Sequence, residues 1–317
     1  MKFKSKFSNM KYAFHENDYF IIKIFQTLLL LIGFVVNFWS FCIICNYPVL
    51  SFFTKVLMKN QFILDSIVCG LTALILWIEK VSYNENDALD QLICIAWSSQ
   101  TLYWMCAIFS NQTLVWTTLD RYLAVIYPTY YKYYKKIFTI FYLVSTCLMS
   151  LAFGIELGFL SIIRNGSCIP IPSTETPLFP IVSISYTIMN YVLPVFIFIF
   201  CYLRVIRKLK YLVEWKSGGE NFKKSAVTFT IACFINVILY IILLLMDNIM
   251  FILQSFKLVT FNNGSDLQMI SLFLVSINSG INPFIYMIMV KSFRRKFCES
   301  KFIRNKRIVA SSRSIVD

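Results

Sequence analysis

Asp65, Asp120, Arg121, Glu156 and Asp247 lie inside or at the ends of long apolar runs. A charge there is costly and is usually paired or functional. The rest of the chain limits the chemistry these groups can do. His15 is the only histidine, so no histidine-based dyad, triad or multi-histidine metal site can be assembled. A glycine-rich phosphate loop is also missing. What remains is charge handling: a mid-helix carboxylate at Asp65, an acid beside a base at Asp120 and Arg121, and the acids Glu156 and Asp247 near the outer ends of their helices.

Membrane helices must position these groups. The 317 residues are 58% hydrophobic and only 15% charged, with 31 Phe and a mean hydropathy of +0.67, outside the range of soluble domains. Seven apolar spans can be read: residues 24–45, 62–78, 92–116, 138–163, 180–205, 227–253 and 269–290. Each is long enough to cross the hydrocarbon as a helix of roughly 20 residues, and the period-two alternation of a membrane barrel is absent. The first is too long for a signal h-region and lacks a small-residue cleavage site, so it is read as retained. The expectation is an all-α bundle of seven transmembrane helices over 24–290. A tail precedes it at 1–23, and a short amphipathic membrane-surface helix with a basic tail follows at 291–317.

Lys and Arg set the orientation. They crowd the segments after the first, third, fifth and seventh spans, whereas the opposite loops hold only Lys80, Arg164 and Lys257. The amino terminus is predicted outside and the carboxyl terminus inside, although Lys2, Lys4, Lys6 and Lys11 run against the rule. The net charge of +14 then faces an anionic inner leaflet and calls for no nucleic acid. A multi-pass plasma-membrane protein follows.

Within that topology the motifs resemble those of rhodopsin-like G-protein-coupled receptors over nearly the whole chain. Gly33 and Asn37 lie in the first span and Asp65 in the second. Asp120-Arg121-Tyr122 closes the third, ahead of Pro128. Pro194 and Tyr202 lie in the fifth, and Asn282-Pro283-Phe284-Ile285-Tyr286 in the seventh, followed by KSFRRKFC. The resemblance implies a receptor, not an enzyme, that binds an extracellular ligand and activates a heterotrimeric G protein. Its activation switch would comprise Asp120, Arg121, Tyr122, Tyr202, Asn282, Pro283 and Tyr286, with Glu220 as a second restraint on Arg121. A snorkelling arginine at a helix end is the plainer alternative. Because the pair sits where the third helix emerges, it need not be fully buried, and the residues after it are expected to form an amphipathic second cytoplasmic loop.

The resemblance also implies an internal sodium pocket of Asp65, Ser110, Asn278, Ser279 and Asn282, in which one carboxylate and neutral oxygens hold a hard cation. A purely structural hydrogen-bond network is the alternative, and no other cofactor is expected. Cys94 and Cys168 would form a disulfide, although the spacing from Cys94 to Arg121 is slightly longer than the family pattern. Cys298 is a candidate for palmitoylation or an ordinary free thiol. Asn165 and Asn263 begin glycosylation sequons in loops predicted outside. Asn111 also begins one but lies in the membrane.

Departures from the pattern concentrate in the sixth helix, which has no proline. With Phe234 as the aligned aromatic, Ile238 stands in place of the family's tryptophan and Tyr240 in place of its proline, so this helix is expected to be straighter or bent by another device. Tyr103 and Ser276 replace the residues that an amine receptor and an opsin would need. The ligand-pocket candidates are Tyr103, Trp104, Glu156, Tyr186 and Asp247. Buried acids and the acid-rich segment 79–90 suit a basic peptide, while an internally paired Glu156 and a hydrated Asp247 would serve no ligand. A seven-helix transporter or channel, and a receptor-like scaffold that does not signal, are the rival classes.

Overall fold

The computed structural model describes residues 16–46, 51–78, 83–84, 87–159, 161–170, 179–214, 220–259, 265–291 and 293–298. Seven segments are long and apolar enough to cross a membrane: Phe20–Cys45, Phe52–Ile75, Ala88–Ile126, Pro128–Gly154, Pro180–Leu209, Val227–Ser255 and Asp266–Met289. They are called the first to seventh spans. The chain is thus an all-α, seven-helix multi-pass membrane protein. Its outer face is apolar, with Phe196, Ile242 and Ile288 among the exposed side chains, while Asn37, Asp65, Ser110 and Asn282 are buried. This polarity is the inverse of a soluble protein's: the apolar face suits lipid, and the polar groups must find partners inside the bundle.

Side-chain caps start three spans, with Asp87 accepting from the Leu89 N–H at the head of the third. Ser51 accepts from the Thr54 N–H at the head of the second, and Ser265 from the Gln268 N–H at the head of the seventh; each satisfies a donor that the first turn leaves open. The first and seventh spans approach closely at glycine. A Cβ on Gly33 would lie 3.1 Å from the Gly280 Cα and 3.1 Å from the Cys69 Sγ.

Three elements depart from the sequence expectation. The third span is interrupted: a short helix, Ala88–Ile93, runs into a π turn at Cys94–Ser98, and Gln100 takes a left-handed conformation before the main helix, Thr101–Ile126. A π turn carries extra residue length per turn, which absorbs the long spacing between Cys94 and Arg121. The expected second loop is also absent. Only Tyr127, at φ −127° and ψ 60°, separates that helix from the next, Pro128–Phe159. Pro128 is suited to a first helical position and pushes the residue before it out of the helical region.

At its far end the fourth helix stops short of Ile163. Residues Ser161–Arg164 form strand β1, antiparallel to β2, Ser167–Pro170, with Ile163 opposite Cys168. Asn165 and Gly166, both at positive φ, make the tight turn. The sixth helix, Glu220–Ser255, runs uninterrupted for 36 residues, as the missing proline predicts.

After the seventh span, residues 293–298 form a helical turn. Phe293 is buried against Phe62, Phe297 packs on Trp39, and Arg294, Arg295 and Lys296 stay exposed. The i, i+4 spacing of the two phenylalanines is what makes it amphipathic.

Candidate functional site

Asp120 and Arg121 sit one turn from the end of the third-span helix. Asp120 is fully buried and Arg121 is 13% exposed. The pair need not have been fully buried at this helix end, yet Asp120 is, because the fourth helix begins at once and folds Tyr131 over the carboxylate. Tyr131 donates to Asp120 Oδ1 at 2.5 Å, and Thr54 of the second span donates to Oδ2 at 3.0 Å. Arg121 Nε donates to the same Oδ2 at 2.9 Å, Arg121 Nη2 also reaches it, and Nη2 donates to Thr54 Oγ1 at 2.7 Å. Ser51 closes the network, with its Oγ 2.7 Å from the Tyr131 hydroxyl.

Arg121 also faces the sixth span. Its guanidinium lies 4.7 Å from the centre of the Phe229 ring. Phe229 stacks in turn on Tyr286 at 5.5 Å between centroids, and Tyr286 packs edge-on to Phe62 at 5.8 Å. One aromatic ring therefore separates the arginine of the third span from the tyrosine of the seventh. Tyr202, buried in the fifth span, packs on Phe234 at 4.9 Å, and Tyr122 faces Phe200 and Tyr127. The Glu220 side chain lies outside the described residues. Sequence reading misses Thr54, Tyr131 and Phe229. Only Tyr131 leaves a trace, as a polar ring in the run after Pro128.

At mid-depth Asp65 is fully buried. Ser110 donates to its Oδ1, Asn282 Nδ2 to its Oδ2 at 2.6 Å, and Gln61 Nε2 to both oxygens at 3.0 and 2.9 Å. Gln61 is a further residue that sequence reading misses, although its i−4 position puts it on the face that carries Asp65. Asn278 and Ser279 are buried in the seventh span, and the Ser279 side chain also interacts with the Asp65 carboxylate.

Proline chemistry organises what lies around this centre. Pro283 has no N–H to offer the carbonyl of Ser279, four residues earlier. Asn37 of the first span supplies the donor, its Nδ2 lying 3.1 Å from Ser279 O. The same event recurs in the fifth span, where Pro194 leaves the Asn190 carbonyl open beside a π turn at Ile188–Val192. Here the donor is the hydroxyl of Tyr240, from the sixth span. Tyr191 returns the contact, donating to Ile241 O at 2.7 Å.

The residue standing in place of the family's sixth-helix proline therefore serves the proline of the fifth. Ile238 does not point inward; it is 40% exposed, and Val237, Tyr240 and Leu244 are buried instead. In an unbroken helix those positions, three and seven apart, share one face.

At the opposite end from Arg121, the Cys94–Cys168 disulfide ties the β hairpin to the third span, with the Cα atoms 5.6 Å apart. Tyr83 braces the hairpin through its N–H to Gly166 O at 3.0 Å. Below it Asp247 is buried and accepts from Ser271 at 2.7 Å, and Gln268 donates to Gln100 at 2.6 Å. Tyr103 donates to the Leu272 carbonyl at 3.4 Å and packs on Trp104. Tyr186 packs on Phe251, one turn beyond Asp247. Asp247 and Tyr103 are thus joined through the adjacent residues Ser271 and Leu272. The Glu156 side chain lies outside the described residues. Ser183 Oγ, Thr187 Oγ1 and Asn248 Oδ1 are buried in the same half of the fifth and sixth spans without a hydrogen-bond partner among the described residues.

Seven helices, a buried acid–base pair at one end and a disulfide-pinned hairpin at the other define a seven-helix receptor fold. The family model described as 7 transmembrane receptor (rhodopsin family) matches residues 36–286, and the chain belongs to that family. Members of this family are typically receptors and not enzymes. No curated protein matches the chain.

Proposed function

We propose that this receptor lies in the plasma membrane with its amino terminus outside, binds an extracellular peptide in the half of the bundle beneath the hairpin, and activates a heterotrimeric G protein at the Arg121 end. The excess of Lys and Arg in the segments next to that end supports the orientation. The observation that carries the reading is the restraint on Arg121: a buried acid, a threonine of the second span and a ring of the sixth hold it. Displacing the sixth span removes Phe229 and opens the end of the bundle. A ligand drives that shift by binding the open arrangement better than the closed one.

Asp247, buried at the other end of the same sixth helix, is the natural contact for a basic group on the ligand. Asn165, exposed at the tip of the hairpin, is the proposed glycosylation site, together with Asn263, which lies outside the described residues. Cys298, exposed at the end of the surface helical turn, is the proposed palmitoylation site.

Expression in cells carrying G-protein activation reporters, screened with a peptide library, tests the reading. An active peptide should lose potency with Asp247→Asn and lose all signal with Arg121→Ala. Unchanged potency with Asp247→Asn removes the peptide assignment, and unchanged signalling with Arg121→Ala removes the coupling mechanism.

A further inference from the structure

A hard cation needs neutral oxygens with their lone pairs turned toward it. The groups around Asp65 present hydrogens instead. The Gln61 amide nitrogen spans both carboxylate oxygens, at 3.0 and 2.9 Å, and lies 2.7 Å from Ser110 Oγ, which itself donates to Asp65. Asn282 brings a further N–H from the opposite side, at 2.6 Å. Amide, hydroxyl and carboxylate close a ring, and the two hydrogens of Gln61 Nε2 are both used within it.

The orientation of the amide is assigned from its hydrogen-bond partners. Turned the other way, its carbonyl oxygen would face two carboxylate oxygens and lose both bonds. As placed, Gln61 Oε1 is buried without a hydrogen-bond partner among the described residues, and so is Asn236 Oδ1. Both residues line one small cavity of about 10 Å³, roughly the room for one water. A water there has two hydrogens for two open acceptors.

The donor set therefore does not fit the sodium ion that the family resemblance implies. We infer that Gln61 takes the cation's place: its amide, delivered from four residues before Asp65 on the same helix, serves the buried carboxylate, and the receptor is insensitive to sodium. The inference is independent of the ligand and of G-protein coupling.

Thermal unfolding of the purified full chain in detergent, in sodium chloride against choline chloride at matched ionic strength, tests it. The native midpoint should agree within about 1 °C across the series, whereas Gln61→Leu, which removes the donor and opens the space, should gain roughly 3 °C or more in sodium. Asp65→Asn in the Gln61→Leu background should abolish that gain. A native midpoint that climbs with sodium and not with choline overturns the inference. A flat response in a folded Gln61→Leu protein overturns the assignment of Gln61 as the occupant. Gln61→Met, of similar length and without an N–H, gives the same readout should the leucine variant fail to fold.

Discussion

Replacing Tyr240 with Phe removes one oxygen and leaves the ring packing against Phe198 and Tyr191 in place. The lost hydroxyl is the donor to Asn190 O, a carbonyl whose helical partner would have come from Pro194. The neighbouring contact is an internal control. Tyr191 donates to Ile241 O, but four residues beyond Ile241 stands Leu245, which has an N–H of its own to give. Tyr191→Phe therefore removes a second bond to a carbonyl already served, at about 0.5–1.5 kcal/mol. Tyr240→Phe strands a buried acceptor, at about 1–3 kcal/mol. Thermal unfolding of the purified receptor should rank Tyr240→Phe well below Tyr191→Phe, and the double variant should depart from additivity because the two contacts clamp the same pair of helices. If Tyr240→Phe costs no more than Tyr191→Phe, the sixth helix is not serving the carbonyl opened by Pro194.

Other predictions follow from the same geometry. Tyr131→Phe removes a hydrogen bond to the buried Asp120 carboxylate and should cost about 1.5–3 kcal/mol in unfolding free energy; a neutral result would mean that Thr54 and Arg121 alone satisfy the acid. Phe229→Ala removes the cation–π contact, about 0.5–2 kcal/mol, and should raise ligand-free G-protein activation in a reporter assay, while a lowered or unchanged basal signal with normal surface expression counts against Phe229 as a restraint. Gly33→Val places a branched side chain 3.1 Å from the Gly280 backbone and should lower the unfolding midpoint by an amount equivalent to about 1–3 kcal/mol, which Gly70→Ala, facing only the flexible Phe34 ring, should not match.

Much of the architecture was legible because a bilayer leaves few options. Runs of roughly 20 apolar residues can only be spanning helices, and Asp120-Arg121 and Asn282-Pro283 sit in those runs as local words. What escaped depends on relations between helices. Pro194 and Pro283 announce that the Asn190 and Ser279 carbonyls need donors, yet nothing local names Tyr240 or Asn37 as the suppliers. Gln61 was within reach, since four residues before a buried acid is its own helix face. Thr54 and Phe229 were not, because each meets Arg121 from a different helix. The expectation of a second loop failed at Pro128, where a first-turn proline starts a helix as readily as it ends one.

The account stands most directly on Arg121 as the residue through which the bundle signals. G-protein activation should be measured at matched surface expression for the native chain and for Arg121→Ala, with a ligand found by peptide screening. The account predicts that ligand binding survives in Arg121→Ala while activation falls to background. Activation undiminished in Arg121→Ala would contradict it.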